Sequence, residues 1–260
     1  MIVNKQLSNN QLKALVHIVS PKINDCELTY LERKPVDFEL AVRQHETYCE
    51  FLEGHGFEII QLSASDDHPD SVFIEDTAVT FDEIAVIANP GAESRRGEIA
   101  TAEDELKKHL KIARIEPPAT LDGGDVIQIG NTVFVGETQR TNPEGIQALA
   151  KILKRYDYQV VPVKVQNCLH LKSACTAISG RSLLANPDWL DLAPFADFNV
   201  VTVDEPWAAN AIRLNETVCL HAGFPKTAQH LRELEFKVET LDVSEFLKAE
   251  GGLSCLSIRF

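Results

Sequence analysis

Five times along this chain a short apolar strand runs into a turn that contains proline. The segments are HIVSPK, IAVIANPG, VFVGETQRTNP, SLLANPDW and VCLHAGFPK, with the prolines at 21, 90, 143, 187 and 225. A recurrence of this kind constrains the fold more than any single motif, because each unit must bury its apolar face against a neighbour. After most of these prolines the sequence turns helical. Proline suits the first helical position, where its missing N–H would be unpaired in any case. In NPEGIQALAKILKRY the residues Ile146, Leu149, Ile152, Leu153 and Tyr156 make one apolar stripe at helical spacing. In the first unit the helix comes later, with Asp37 as the cap of DFELAVRQHETYCEFLEGHG and glycines closing it. A second strand follows each helix, in FEIIQL, ARIEPP, QVVPV, FNVVTV and FKVETL. A third completes each unit, in SVFIEDTAVTF, TLDGGDVIQIG, LHLKSACTAI, AANAIRLN and GLSCLSIRF.

The polar residues of these third strands are the informative ones. Asp76, Asp122, His170, Asn210 and Cys255 fall at roughly matching places, separated by 46, 48, 40 and 45 residues. Five units around an axis would bring these side chains to one end of it. The last strand would then pair beside the first unit, closing the circle and removing exposed sheet edges. A stack of unrelated βαβ units in an open sheet is the alternative. No composition shift marks a linker, so the expectation is one α/β domain over residues 1–260, built of five strand–helix–strand–strand modules.

The formal net charge of −14 and pI near 5.0 argue against nucleic acid or an anionic membrane as partner, since phosphate binding runs on clustered Lys and Arg. A small cationic substrate fits that balance. Six cysteines at 26, 49, 168, 175, 219 and 255 show neither CxxC pairs nor a regular framework, which predicts reduced thiols. MIVNKQLSNNQLKALVHIVS has polar residues where a signal peptide needs an apolar stretch, and no run of about 18 apolar residues occurs. The reading is a soluble cytoplasmic protein, monomer or homodimer.

A thiol, an imidazole and carboxylates in one place are the parts of a cysteine nucleophile site. Each has an ordinary explanation. A cysteine in an apolar strand is commonly a small buried hydrophobe; Cys255 stands out through its place in the repeat and the flanking GGLS, which permits close approach of a ligand. His170 in NCLHLKSAC reads equally as a core histidine, or as a zinc ligand with Cys168 and Cys175, although no tight ligand pair supports zinc. Asp122 and Asp125 in TLDGGD have the look of turn caps. In HPDSVFIEDTAV, Asp70, Glu75 and Asp76 crowd acidic groups beside apolar residues, which demands a cation from the chain or from a ligand. Arg95 and Arg96 in PGAESRRGE, and Arg140 in GETQRTNPEG, are forks suited to a carboxylate. Acids for a cationic head and arginines for an anionic tail describe an amino acid with a basic side chain.

Taken in order across nearly the whole chain, HPDSVFIEDTAV, NPGAESRRGE, TLDGGD, VGETQRTNPEG, CLHLKSACTA and GGLSCLSIRF resemble the dimethylarginine dimethylaminohydrolase family. The resemblance implies the pentein fold of the guanidino-modifying enzymes, a five-bladed α/β propeller. It implies Cys255 as nucleophile, His170 as general acid and base and Asp122 as the triad carboxylate. Asp76 would hold the guanidinium, Asp70, Arg95 and Arg140 the amino and carboxylate groups, and Phe73 would line the pocket. Leu28 in NDCELTYL falls where the family has a lid. Some bacterial members carry Glu in place of Asp122. The implied reaction releases citrulline from dimethylarginine or monomethylarginine through a covalent thiouronium, with no metal or organic cofactor. Arginine deiminase and amidinotransferase would use the same residues, and a pentein binding protein would not need them.

Overall fold

A computed structural model describes residues 11–63 and 67–260. The first ten residues of the expected 1–260 domain, which also open the stretch read for a signal peptide, lie outside them. Unit one runs β1 (Lys13–His17), α1 (Phe38–Gly54), β2 (Glu58–Leu62), β3 (Ala78–Thr80). Unit two runs β4 (Ile84–Ile87), α2 (Ile99–Leu106), β5 (Lys111–Arg114), β6 (Val126–Ile129). Unit three has β7 (Thr132–Glu137), α3 (Pro143–Leu153), β8 (Gln159–Lys164), the one-turn α4 (Leu171–Ala174) and β9 (Cys175–Ala177). Unit four has β10 (Ser182–Ala185), β11 (Asn199–Thr202) and β12 (Ile212–Leu214), and unit five β13 (Thr217–His221), α5 (Pro225–Glu233), β14 (Lys237–Leu241), α6 (Ser244–Leu247) and β15 (Ile258–Arg259).

The helices start where capping chemistry allows. The Asn142 side chain accepts from Gly145 N–H and Pro143 takes the first position of α3, whose Ile146, Leu149 and Leu153 are buried. Asp37 likewise accepts from Leu40 N–H at the head of α1. Pro225 opens α5. The expectation that most prolines begin helices is too broad, however. Pro21 and Pro90 sit in loops well upstream of α1 and α2, and Pro187 is followed only by the 3₁₀ turn Ala193–Phe195. The Pro90 loop instead continues into the 3₁₀ turn Glu93–Glu98, which carries Arg95 inward.

Each sheet has three strands: the first two strands of one unit, paired parallel, and the third strand of the preceding unit, paired antiparallel to the first. The third strand therefore ties one unit to the next. The tie closes at the chain end, where β15 pairs antiparallel with β1 through Ala14↔Arg259 and Leu15↔Ile258. Lys13 and Phe260 exchange backbone hydrogen bonds at 2.7 and 2.9 Å. With its backbone groups paired and Ile258 buried, the last strand is a packed element. One buried cluster joins Ala14, Tyr48 and Leu52 of the first unit to Phe246, Leu253 and Leu256 of the last. Trp189 and Trp207, both within unit four between β10 and β12, meet edge to face at 4.7 Å.

The recurrent polar residues are not on the strands themselves, which are only two to four residues long. They sit in the single turns that lead into them. Asp76 lies in the 3₁₀ turn Ile74–Thr77, Asp122 just before Gly123–Asp125, His170 just before α4, Asn210 just after Pro206–Ala209, and Cys255 in Ser254–Leu256. A turn aims its side chain along the strand axis, whereas the strand pleat would have sent it to a sheet face.

Candidate active site

Those turns deliver Asp76, His170 and Cys255 to one buried cleft, whose wall also includes Asp70, Phe73, Arg95 and Arg140. His170 is the hub. Its Nε2 lies 3.0 Å from Asp122 Oδ2 and 3.8 Å from Asp76 Oδ1. Burial alone would lower the imidazole pKa, but the charge of Asp76, the hydrogen bond to Asp122 and the charge of Asp125 together lift it to about 9. His170 is thus an imidazolium in the neutral range.

Asp122 is fully buried and has both oxygens committed, Oδ1 accepting from Gly91 N–H at 2.9 Å and Oδ2 meeting His170. It is thereby placed to orient His170. Asp76 behaves differently. Burial pushes its pKa up, yet His170 and Arg95 outweigh this and bring it to about 2. Its Oδ2 accepts from Arg95 Nη1 at 2.5 Å and its Oδ1 from Gly124 N–H at 2.9 Å. A Cβ on Gly124 would stand 2.7 Å from His170 Nδ1 and 2.8 Å from Asp76 Oδ1, so only glycine lets that turn pass between the two.

Cys255 is 8 % exposed. Burial first, then the charges of Glu75 and Asp76, push its thiol up to about 12, against the weaker pull of the Gly252 N–H at 3.4 Å. Cys255 at rest is therefore a neutral thiol. The two glycines before it serve packing: a Cβ on Gly251 would overlap the Phe73 ring, and one on Gly252 the Asn210 amide. Close approach is required, but the group that approaches is protein.

The acidic crowd receives cations from the chain. Glu75 accepts from Lys172 Nζ at 2.7 Å, and Arg95 serves Asp76. All three Arg95 nitrogens are already engaged within the protein, Nη1 by Asp76. Its Nε and Nη2 reach Glu98, and Nη2 also donates to the carbonyls of Phe73 and Asp70. Arg140 is the freer fork, with Nη2 3.3 Å from Thr29 Oγ1 and Nη1 4.0 Å from Asp122 Oδ2. Asp70 accepts twice from Glu27 N–H and is raised to about 6, chiefly by burial. Leu28 is half-buried and packs on the cluster that contains Phe73 and Cys255.

Glu250 was not singled out from the sequence. Its carboxylate accepts the N–H groups of Thr29, Tyr30 and Leu31, at 3.1, 2.5 and 2.6 Å, pinning the segment that runs on from Glu27 of the cleft wall through Leu28. Its backbone has φ 59°, a left-handed conformation that costs about 1 kcal/mol or more in a non-glycine residue and tends to persist at functional sites. The one available signal was an acid directly before GG. Among the described residues, the donor atoms of Asp76, Asp122 and His170 converge within 4.8 Å, as a metal site would require. They are already bonded to one another, to Arg95 and to backbone, which leaves an ion little to coordinate. Cys168 and Cys175 stand outside that group, and Cys168 donates to the His170 carbonyl. All six cysteines are free, and among the described residues no helix is long and apolar enough to cross a membrane.

A buried thiol and an imidazolium on the wall of one cleft, with a carboxylate of low pKa and an arginine fork on the same wall, suit attack on a cationic carbon. Comparison with known proteins agrees. The family described as N,N dimethylarginine dimethylhydrolase, eukaryotic, matches residues 16–191. The N(G),N(G)-dimethylarginine dimethylaminohydrolase of Streptomyces coelicolor is 39% identical over 249 residues, 95% of this chain and 96% of that one. Its Pseudomonas aeruginosa counterpart is 36% identical over 228 residues, covering 86% and 90%. A solved structure of the Pseudomonas enzyme, a mutant complexed with citrulline, superposes with a TM-score of 0.91 at 33% identity, over 96% of this chain and 100% of that one. The N-terminal domain of the cyanobacterial arginine dihydrolase ArgZ shares the fold, with a TM-score of 0.82 at 19% identity. From the shared motifs, the shared architecture and identity over most of its length, the chain belongs to the dimethylarginine dimethylaminohydrolase family.

Proposed function

We propose that this protein hydrolyses Nω,Nω-dimethyl-L-arginine and Nω-monomethyl-L-arginine to L-citrulline and the corresponding methylamine. The observation that carries the proposal is the convergence of Cys255, His170 and Asp76 on one cleft, each from a different sheet-linking turn. The five units form the blades of a pentein propeller, a single domain over 1–260 with the site at one end of its axis. The protein works in the cytoplasm as a monomer or homodimer and needs no cofactor.

The substrate carboxylate binds Arg140 and its ammonium Asp70, while Arg95 acts through Asp76 by fixing the carboxylate that receives the guanidinium. Phe73 and Leu28 exclude water from the side chain. A guanidinium beside Cys255 favours the thiolate, so the thiol releases its proton to solvent as the substrate binds. The sulfur then bonds to the guanidinium carbon, giving a neutral tetrahedral adduct. His170, held protonated by Asp122 and Asp76, donates its proton to the methylated nitrogen, the C–N bond breaks and the amine departs. A thiouronium cation remains on Cys255. The now neutral His170 takes a proton from water as the oxygen adds to the carbon, and as the C–S bond breaks the adduct's hydroxyl proton passes to the departing sulfur, leaving citrulline and the resting thiol.

The test is citrulline release from dimethylarginine, monomethylarginine and arginine, with Cys255→Ser as blank. Turnover of the methylated substrates with arginine poor is the expected outcome. Preference for arginine would make the protein a deiminase, and citrulline from the blank would remove Cys255 from the mechanism.

A further inference from the structure

Of the five recurrent polar residues, Asp76, Asp122, His170 and Cys255 have places in the proposed reaction and Asn210 has none. Asn210 is nonetheless buried, just ahead of β12, and both ends of its amide are paired. Its Nδ2 donates to the Lys172 carbonyl and to Ser254 Oγ, each at 3.0 Å, while its Oδ1 accepts from Ser254 N–H at 3.3 Å. The opposite setting of the amide would turn oxygen toward the Lys172 carbonyl and nitrogen toward the Ser254 N–H, so one orientation alone pairs every group.

The two segments joined in this way carry the reacting groups. Ser254 precedes Cys255 in the turn Ser254–Leu256, and Lys172 lies in α4, which follows His170 directly. The link closes into a ring. Ser254 Oγ donates to Glu75 at 2.8 Å, Glu75 accepts from Lys172 Nζ at 2.7 Å, and the Lys172 carbonyl returns to Asn210. Lys172 Nζ also donates to the Gly123 carbonyl at 3.1 Å. All five units therefore meet through residues one or two places from Asp76, Asp122, His170 and Cys255. The cleft wall includes His170 and Cys255, but the Asn210 amide is directed to Ser254 and Lys172. There is no slack around it, since a Cβ on Gly252 would overlap that amide.

We infer that Asn210 is a positioning residue, which holds the Cys255 turn in register with the His170 turn. The inference rests on the reaction proposed above, in which Cys255 attacks a carbon whose leaving nitrogen is protonated by His170. Both groups must meet one guanidinium together, and a misplacement of about 1 Å can cost about 10²-fold in rate. Because Asn210 acts through Ser254 and Lys172 and lies off the cleft wall, its loss falls on kcat and spares KM. A purely structural asparagine would cost stability and leave the turnover of folded molecules unchanged.

The experiment is steady-state kinetics of Asn210→Ala in the full chain, at a temperature where circular dichroism shows the variant folded. A kcat about 10–100-fold lower, with KM within about threefold of the wild type, is expected. Thr227→Val, which removes a buried hydrogen bond to Glu205 in α5, is the comparison and should lower the melting temperature without changing kcat. Ser254→Ala should also lower kcat, and the double variant should lose less than the product of the single losses, because both substitutions break one link. Unchanged kcat in Asn210→Ala, a KM that rises as far as kcat falls, an equal kcat loss in Thr227→Val, or fully multiplicative losses in the double variant would each overturn the inference. Should Asn210→Ala fail to fold, Asn210→Asp, which keeps the shape but not the Nδ2 donors, takes its place with the same expectation. If the wild type releases no citrulline from any of the three substrates, it is the proposed reaction that fails. The link is then read from iodoacetamide labelling of Cys255, followed by mass spectrometry, which should be at least about threefold faster in Asn210→Ala as the turn loosens. Equal labelling rates would overturn the inference.

Discussion

Replacing Asp122 with Asn removes the charge behind His170 while keeping the shape of the side chain. Asp122 meets His170 Nε2 at 3.0 Å in a fully buried setting and also accepts from Gly91 N–H. An asparagine has one acceptor oxygen, so it can serve one of these donors and must turn its amide toward the other. A hydrogen bond to a charged group contributes roughly 1.5–3 kcal/mol, and one pKa unit corresponds to about 1.4 kcal/mol, so the His170 pKa should fall by about 1–2 units from its value near 9. It should not return to the ordinary 6.5, because Asp76 and Asp125 remain. The assay is ¹H–¹³C NMR titration of the histidine Cε1–H signals, with His170 assigned by its loss in His170→Gln. Turnover should drop by roughly 10²–10⁴, as for a general acid both misaligned and prematurely deprotonated. The same linkage acts on stability. A folded pKa raised above the unfolded value contributes stability that is present below about pH 6.5 and is lost as pH rises through about 9. The urea midpoint of the wild type should therefore lose that contribution across this window, and Asp122→Asn should show less of the loss. An unchanged His170 pKa in Asp122→Asn would refute the view that this carboxylate holds the proton.

Glu250→Gln weakens the grip on the amides of Thr29, Tyr30 and Leu31, so KM should rise about tenfold from one lost charge-assisted bond while kcat stays within about threefold, and proteolysis near Leu31 should quicken. A change confined to kcat would contradict this. Gly251→Ala forces a methyl into the Phe73 ring and should cost about 1–3 kcal/mol by urea denaturation; a neutral result would mean the ring has room to move. Deleting residues 258–260 leaves Cys255 in place but removes the partner of β1, so the protein should unfold cooperatively at a much lower temperature or fail to fold, and full activity would show that this pairing is dispensable.

The sequence alone determined the modular plan. Strand and helix periods are local properties of neighbouring residues, so the five units, the cap at Asp37 and the regular return of Asp76, Asp122, His170, Asn210 and Cys255 were all legible in the sequence. The pairing of the last strand beside the first unit also followed, since an unpaired terminal strand would leave an open edge. What only the tertiary structure decided is who partners whom. That Arg95 is engaged by Asp76 while Arg140 is left freer depends on contacts across 19 and 111 residues, which no periodicity encodes. The same holds for Glu250, whose role exists only because the first and last units meet. Residue type sets what a side chain is able to bind. The closed arrangement of the sheets sets which of those capacities are already satisfied within the protein and which remain for a ligand.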